Sequence, residues 1–192
     1  MQTNHEIVIQ ELLAAGFEPT KDRAYAVHQV NLGRCALALH SDQYLTPTFI
    51  ESISKITDKE ILTVDFNDLP TQADLEKLTG IVDWDPTAWS QSGKYLIARN
   101  FDTFLTSSFV DNLETDQKLG NMVKLLRTIQ KYGHGVMLGF GKNKTFEDVM
   151  DPVSEAYDAH GTGSSSYYLW ELMMECLEDK VLGREIENER NE

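Results

Sequence analysis

Two short apolar runs separated by one amphipathic segment set the tightest limit on how this chain can fold. Tyr95, Leu96, Ile97 and Ala98 form the first run; Val136, Met137, Leu138, Gly139 and Phe140 form the second. Between them Met122, Leu125, Leu126 and Ile129 recur at helical spacing, and Gly133 stops the stripe. Strand, helix and strand across residues 94–143 make a βαβ unit, in which parallel strands are joined by a crossover helix that covers the sheet.

The flanking sequence extends that pattern. Residues 4–16 read as a short amphipathic helix carrying Ile9, Leu12 and Leu13, with Gly16 as its cap. Tyr25, Val27 and Gln29 alternate with Ala26, His28 and Val30, which suggests a strand; residues 31–33 then read as a tight turn and 35–39 as a second strand. Phe49, Ile50, Ile53 and Ile56 mark a helix with Pro47 in its first turn, and Ile61, Leu62, Val64 and Phe66 mark another strand. Thr71 and Asp74 have the spacing of a capping box ahead of Leu75 and Leu78. After residue 144 the pattern is helical, with Leu169, Leu172, Met173, Cys176 and Leu177 on one face. The expected fold is α/β: a mostly parallel central sheet of about five strands flanked by helices, with an N-terminal hairpin and a C-terminal helical extension. Residues 1–143 form the expected α/β core domain, and 144–192 the extension packed on it.

Charge limits the functions available. The 192 residues carry 31 acidic against 17 basic side chains, a formal net charge of −14. Such a surface repels phosphate backbones and anionic membranes, so no direct nucleic-acid binding and no membrane association are expected. No apolar run approaches the roughly 20 residues that span a bilayer, and the N-terminus has neither a basic nor a long apolar signal region. Cys35 and Cys176 are far apart in apolar surroundings and lack a CxxC neighbour, which fits buried, reduced thiols and a cytoplasmic location.

Two segments hold most of the excess charge. Residues 58–85 contain eight carboxylates against two lysines, and residues 171–192 contain eight against three basic residues. Within the first, Asp83, Trp84, Asp85 and Trp89 combine carboxylates with aromatic rings, the composition of a contact surface for a basic protein. The tryptophans can equally cover the edge of the sheet. His160, Gly161, Gly163, Ser164 and Ser165 form a second candidate, because glycines and serines at a helix N-terminus can aim several donors at one anion. A flexible loop with a serine N-cap gives the same letters. A third candidate lies at the expected strand ends, where His40, Asp65, Asp102 and Asn143 would face one crevice. The histidines show neither HExxH nor an i,i+4 pair, no GxSxG occurs, and no metal or cofactor is expected.

The order of strands and helices through Asn143 resembles the core of P-loop ATPases of the AAA type. In that family a phosphate-cradling loop follows the first core strand, a later strand ends in acidic residues that hold Mg²⁺, and the next ends in a polar sensor residue. The resemblance places Asp102 at the acidic strand end and Asn143 at the sensor position. The segment after Leu39 departs from the family: it has no glycine and no Gly-Lys-Ser or Gly-Lys-Thr ending, so the donors that cradle phosphate are missing. Residues 61–78, 94–101 and 122–140 also resemble, in order and spacing, the barstar-like inhibitors, whose acidic helix face blocks a ribonuclease. The tryptophan-containing acidic helix of those inhibitors has no clean match. The expected function is therefore a non-enzymatic acidic protein of inhibitor, immunity, antitoxin or nucleic-acid-mimic type. Two alternatives stand beside it: a degenerate nucleotide-binding domain or small α/β enzyme with a crevice at the strand ends, and a subunit of a larger assembly that docks through its C-terminal helix.

Overall fold

The computed structural model describes residues 4–81, 83–90, 93–132, 135–141 and 146–183. In order they form α1 (Asn4–Ala14), α2 (Lys21–Leu32), β1 (Ala36–Ala38), α3 (Ser41–Tyr44), α4 (Pro47–Thr57), β2 (Glu60–Asp65), α5 (Gln72–Thr79), α6 (Thr87–Ser90) and β3 (Lys94–Arg99). There follow α7 (Phe101–Phe104), α8 (Ser107–Val110), α9 (Gln117–Lys131), β4 (Val136–Gly139), α10 (Phe146–His160), α11 (Ser165–Asp179) and β5 (Val181–Leu182).

The five strands pair in the order β2-β3-β4-β1-β5, and every pairing is parallel. β1 and β4 are buried along their whole length, and β3 is buried from Tyr95 to Ala98, as expected of strands covered on both sides. Alternation divides their side chains between two cores. Leu37, Leu96, Ala98, Val136 and Leu138 pack with apolar residues of α5, α9 and α11; Ala36, Ala38, Tyr95, Ile97 and Met137 pack with those of α1, α2 and α4. The βαβ unit inferred from residues 94–143 is present as β3, α9 and β4, with Asp116 capping α9 through the Lys118 and Leu119 amides.

The expected N-terminal hairpin is not formed. Thr20 accepts a hydrogen bond from the Arg23 amide, and Gly33 (φ 65°) closes the other end by donating to Gln29 and Val30. Residues 21–32 are thus a helix, and the expected turn at 31–33 is its C-terminal cap. The apparent alternation arose because α2 is covered on several sides, burying Asp22, Ala24, Ala26, Val27, Gln29 and Val30. Such a helix shows no single apolar stripe. β1, the expected second hairpin strand, instead lies between β4 and β5.

The C-terminal part is helical, as expected, and it also finishes the sheet. β5 pairs with β1 in the register Leu37↔Val181 and Ala38↔Leu182. α11 buries Leu169, Leu172, Met173 and Cys176 in the core shared with α9, so that apolar face is already covered by the chain itself.

Topology decides where a site can sit. The crossover from β1 to β2 runs along the sheet in one direction with α4 on one face; those from β2, β3 and β4 run the other way with α5, α9 and α10–α11 on the opposite face. Right-handed crossovers require that change of face. The chain therefore leaves the adjacent strands β1 and β4 on opposite sides, and a crevice between their carboxyl ends is the place where open α/β sheets bind ligands.

Candidate functional site

Three side-chain groups answer to the sequence expectations: the acidic edge at β2, the polar cluster at the strand ends, and the N-terminus of α11.

The first acidic segment is spread along one margin of the sheet, because β2 is an edge strand and α5 and the 83–85 turn follow it. Asp58, Glu60, Asp68, Asp74, Asp83 and Asp85 are exposed. Among the described residues, no ion pair within 4.0 Å involves a carboxylate of 58–85; the pairs found are Lys55–Glu51, Arg99–Asp42 and Arg127 with Glu171 and Glu175. Asp83 (φ 51°) and Trp84 (φ 63°) both adopt left-handed backbone, which is unusual for a tryptophan. That bend leaves Trp84 39% exposed between two exposed acidic residues. Asp85 accepts hydrogen bonds from the Thr87 hydroxyl and amide, which hold its carboxyl below the usual range. Trp89 does not belong to this surface. It is 1% exposed, packed in the core that contains Leu75, Ile81 and Phe66. The short helix α6 turns its large ring inward, where burial is favourable.

The second acidic segment lies toward the other side of the sheet, on α11 next to β1 and β5. With strands about 4.8 Å apart, the β2 and β5 margins are about 19 Å from each other. Part of this segment is neutralised internally. Arg127, buried on α9, reaches Glu171 Oε1 at 2.9 Å and Glu175 Oε1 at 3.1 Å, while Gln130 Nε2 donates to Glu175 Oε2 at 2.9 Å. The remaining acidic residues of this segment beyond Gly183 lie outside the described residues. The two described acidic groups therefore do not form one face.

At the strand ends, His40, Asp65 and Asp102 follow or end β1, β2 and β3, as expected; Asn143 lies outside the described residues. Neighbouring residues tie them together. Asn100 donates to Asp65 Oδ1 at 2.9 Å, and the Gly141 amide donates to Asp102 Oδ1 at 3.1 Å. Asp65 also accepts from the Asn67 amide at 2.9 Å. Ser41 donates its amide to the Phe140 carbonyl at 2.8 Å, bringing the segment after β1 against β4. Arg99 approaches Asp42 at 4.0 Å. His40 (φ 52°) and Asn100 (φ 54°) each take a left-handed turn into a one-turn helix, a conformation in which His and Asn are several-fold enriched. His40, Ser41, Asn100 and Asp102 are all buried, and the Ser41 hydroxyl has no hydrogen-bond partner among the described residues.

The cluster is closely built. A Cβ on Gly141 would lie 1.8 Å from Asn100 Oδ1, and one on Gly139 would lie 2.9 Å from Ser41 Oγ. Three carboxylates against one guanidinium make it a poor place for phosphate. Among the described residues, no group of three or more His, Cys, Asp and Glu side chains could hold a metal ion.

At 160–166 the structure supplies an anion from within. Ser164 caps α11 by accepting from the Tyr167 amide at 3.1 Å, with Gly161 and Gly163 at positive φ ahead of it. The Ser166 amide and hydroxyl both donate to Glu114 Oε1, at 2.8 and 2.9 Å. Burial alone would raise the Glu114 carboxyl; the Ser166 and Ser165 donors outweigh it and hold the group below the usual range, helped by His160. This helix end is a carboxylate-binding site whose occupant is 52 positions away in the sequence.

No helix among the described residues is long and apolar enough to cross a membrane. Comparison with protein-family models, with curated proteins and with solved structures finds no match.

Proposed function

We propose that this chain is a non-enzymatic docking protein whose β2 margin engages a basic protein surface, in the manner of an inhibitor, immunity protein or antitoxin. The observation that carries the reading is the run of exposed carboxylates along 58–85 with no ion-pairing cation among the described residues. Unneutralised charge of one sign raises the association rate with an opposite surface and penalises like-charged competitors. Trp84 supplies a large apolar anchor amid that charge, and tryptophan is enriched among residues that dominate binding energy. The test is purification of the tagged protein from its own host at low salt, in parallel with the triple variant Asp83→Asn, Trp84→Ala, Asp85→Asn. A stoichiometric basic protein, released by raised salt and missing from the variant preparation, is the expected result. Identical companions in both preparations remove this margin from the function.

A second reading, a ligand-binding relative of the P-loop ATPases that has lost its phosphate loop, draws support from the polar cluster at the switch point. The strand ends to which the resemblance gives the loop, acidic and sensor roles belong to β1, β3 and β4, three neighbouring strands. The buried hydroxyl of Ser41, without a partner among the described residues, is the specific observation in its favour. Thermal-shift measurements with ATP, ADP and GTP in the presence of Mg²⁺ test it. A midpoint that rises with nucleotide and no longer does so in Asp102→Asn supports this reading; an unmoved midpoint excludes it.

A further inference from the structure

Cys35 immediately precedes β1, and Cys176 lies on α11, the helix that packs across β1. Both thiols are free and buried, Cys35 at 8% and Cys176 at 0% exposure. Their surroundings differ in one respect. Cys35 lines an open cavity of about 470 Å³ shared with Gln130, Lys131, Glu175 and Asp179, whereas Cys176 is sealed behind it in the core. Cys35 Sγ lies 3.7 Å from the Glu175 carbonyl, one residue before Cys176, and accepts a hydrogen bond from Gln130 Nε2 at 3.7 Å. Asp179 Oδ2, at 3.6 Å, is an alternative acceptor for its proton. Cys35 Sγ thus lies against the turn of α11 that carries Cys176, and both side chains belong to one core cluster.

We propose that Cys35 and Cys176 are a peroxide-sensitive pair, in which a hydroperoxide entering the cavity oxidises Cys35 and Cys176 then closes a disulfide. In the first step the Cys35 sulfur attacks one peroxide oxygen and the O–O bond breaks. The departing hydroxide takes up the thiol proton as water, leaving a sulfenic acid on Cys35. In the second step the Cys176 sulfur displaces hydroxide from the Cys35 sulfur, forming the S–S bond and, with the Cys176 proton, a second water. Two thiols lose two electrons and one hydrogen peroxide becomes two waters. The roles follow from position: Cys35 lines the cavity, and Cys176, the residue after the Glu175 carbonyl that Cys35 touches, is buried behind it to resolve the product. The hydrogen bond from Cys176 lowers the Cys35 thiol, against the opposing effects of burial and Asp179, while Cys176 is raised by Cys35 and by burial. The thiolate that starts the reaction therefore forms on the cavity side.

The full chain treated with stoichiometric hydrogen peroxide under native conditions should lose two hydrogens from its intact mass. A non-reducing peptide map should contain a linked Cys35–Cys176 peptide that dithiothreitol releases. Cys176→Ser should instead accumulate a dimedone-reactive sulfenic acid on Cys35, and Cys35→Ala, with native circular dichroism, should leave Cys176 unmodified. Asp179→Asn should react faster than the native chain. Thiols that both stay free in peroxide, a bridge between two molecules, or a sulfinic acid on Cys35 with no linked peptide would each overturn the proposal.

Discussion

At the scale of single residues, the strand-end cluster is held by groups that have little room to change. Gly141 fits because its missing side chain lets Asn100 and Asp42 approach its Cα. Gly141→Ala should destabilise the chain by about 1–3 kcal/mol, the usual cost of overpacking a filled site, read from the urea midpoint. Arg127 makes a second prediction. Burial would raise the Glu171 carboxyl, but hydrogen bonds from Arg127 and Tyr167 outweigh it and hold the group below its ordinary value of 4.5. A carboxylate lowered by folding adds stability above its unfolded value and loses it as pH falls through the folded one. Arg127→Met should therefore cost about 1–3 kcal/mol at neutral pH. Its deficit relative to the native chain should shrink as pH drops below that ordinary value, measured by urea titrations at several pH values. Residue-scale legibility was uneven. His40, Asp65 and Asp102 could be placed because they sit at ends of apolar runs; Asn100 and Gly141 could not, because their roles arise from contacts across strands. Trp89 misled because a tryptophan in a polar stretch gives no sign of which way a single helical turn will point it.

At the scale of elements, what was legible depended on how many sides of an element are covered. The apolar buried residues of α9 and α11 recur at helical spacing, so their periodicity announced them. α5 carried its own start signal: Thr71 accepts from the Asp74 amide at 3.2 Å and Asp74 accepts from the Thr71 amide at 2.8 Å. α2 is buried on more than one side and includes polar residues such as Asp22, whose carboxylate accepts the Gly183 amide at 3.0 Å. Its pattern therefore matched a strand by coincidence, and only the Thr20 and Gly33 caps mark its ends. Thr20→Ala should cost about 1 kcal/mol by chemical denaturation, where a hairpin would have been indifferent to the change. β5 could not be read at all, since two residues carry no periodicity. The internal anion at α11 was half legible: the donors at 164–166 were evident, while Glu114 was not. Glu114→Gln should lower stability by at most about 1 kcal/mol, because the side chain is solvent-screened, with the difference vanishing in acid.

For the whole molecule, the decisive fact is where charge falls relative to sheet edges. Among the described residues β2 pairs on one side only, and an unpaired strand edge invites other strands. Asp58 and Glu60 stand at that edge, and charge on an edge strand opposes pairing with another copy, so the carboxylates proposed to meet a basic partner would guard the edge as well. Asp58→Asn with Glu60→Gln should raise concentration-dependent self-association in light scattering. If it also leaves the association with a basic partner intact, the guarding role and the docking role belong to different carboxylates. A further consequence concerns the order in which the molecule is made. β1 sits between β4 and β5, with Ala36 facing Met137 and Leu37 facing Val181. On the ribosome, this interior strand of the sheet is thus synthesised long before either neighbour exists. Such distant pairings are slow to form, and an unpartnered apolar strand is prone to wrong ones. Until β4 emerges, α1, α2 and α4 are the helices at hand to shelter β1, and the sheet gains its last strand only with the arrival of Val181 and Leu182.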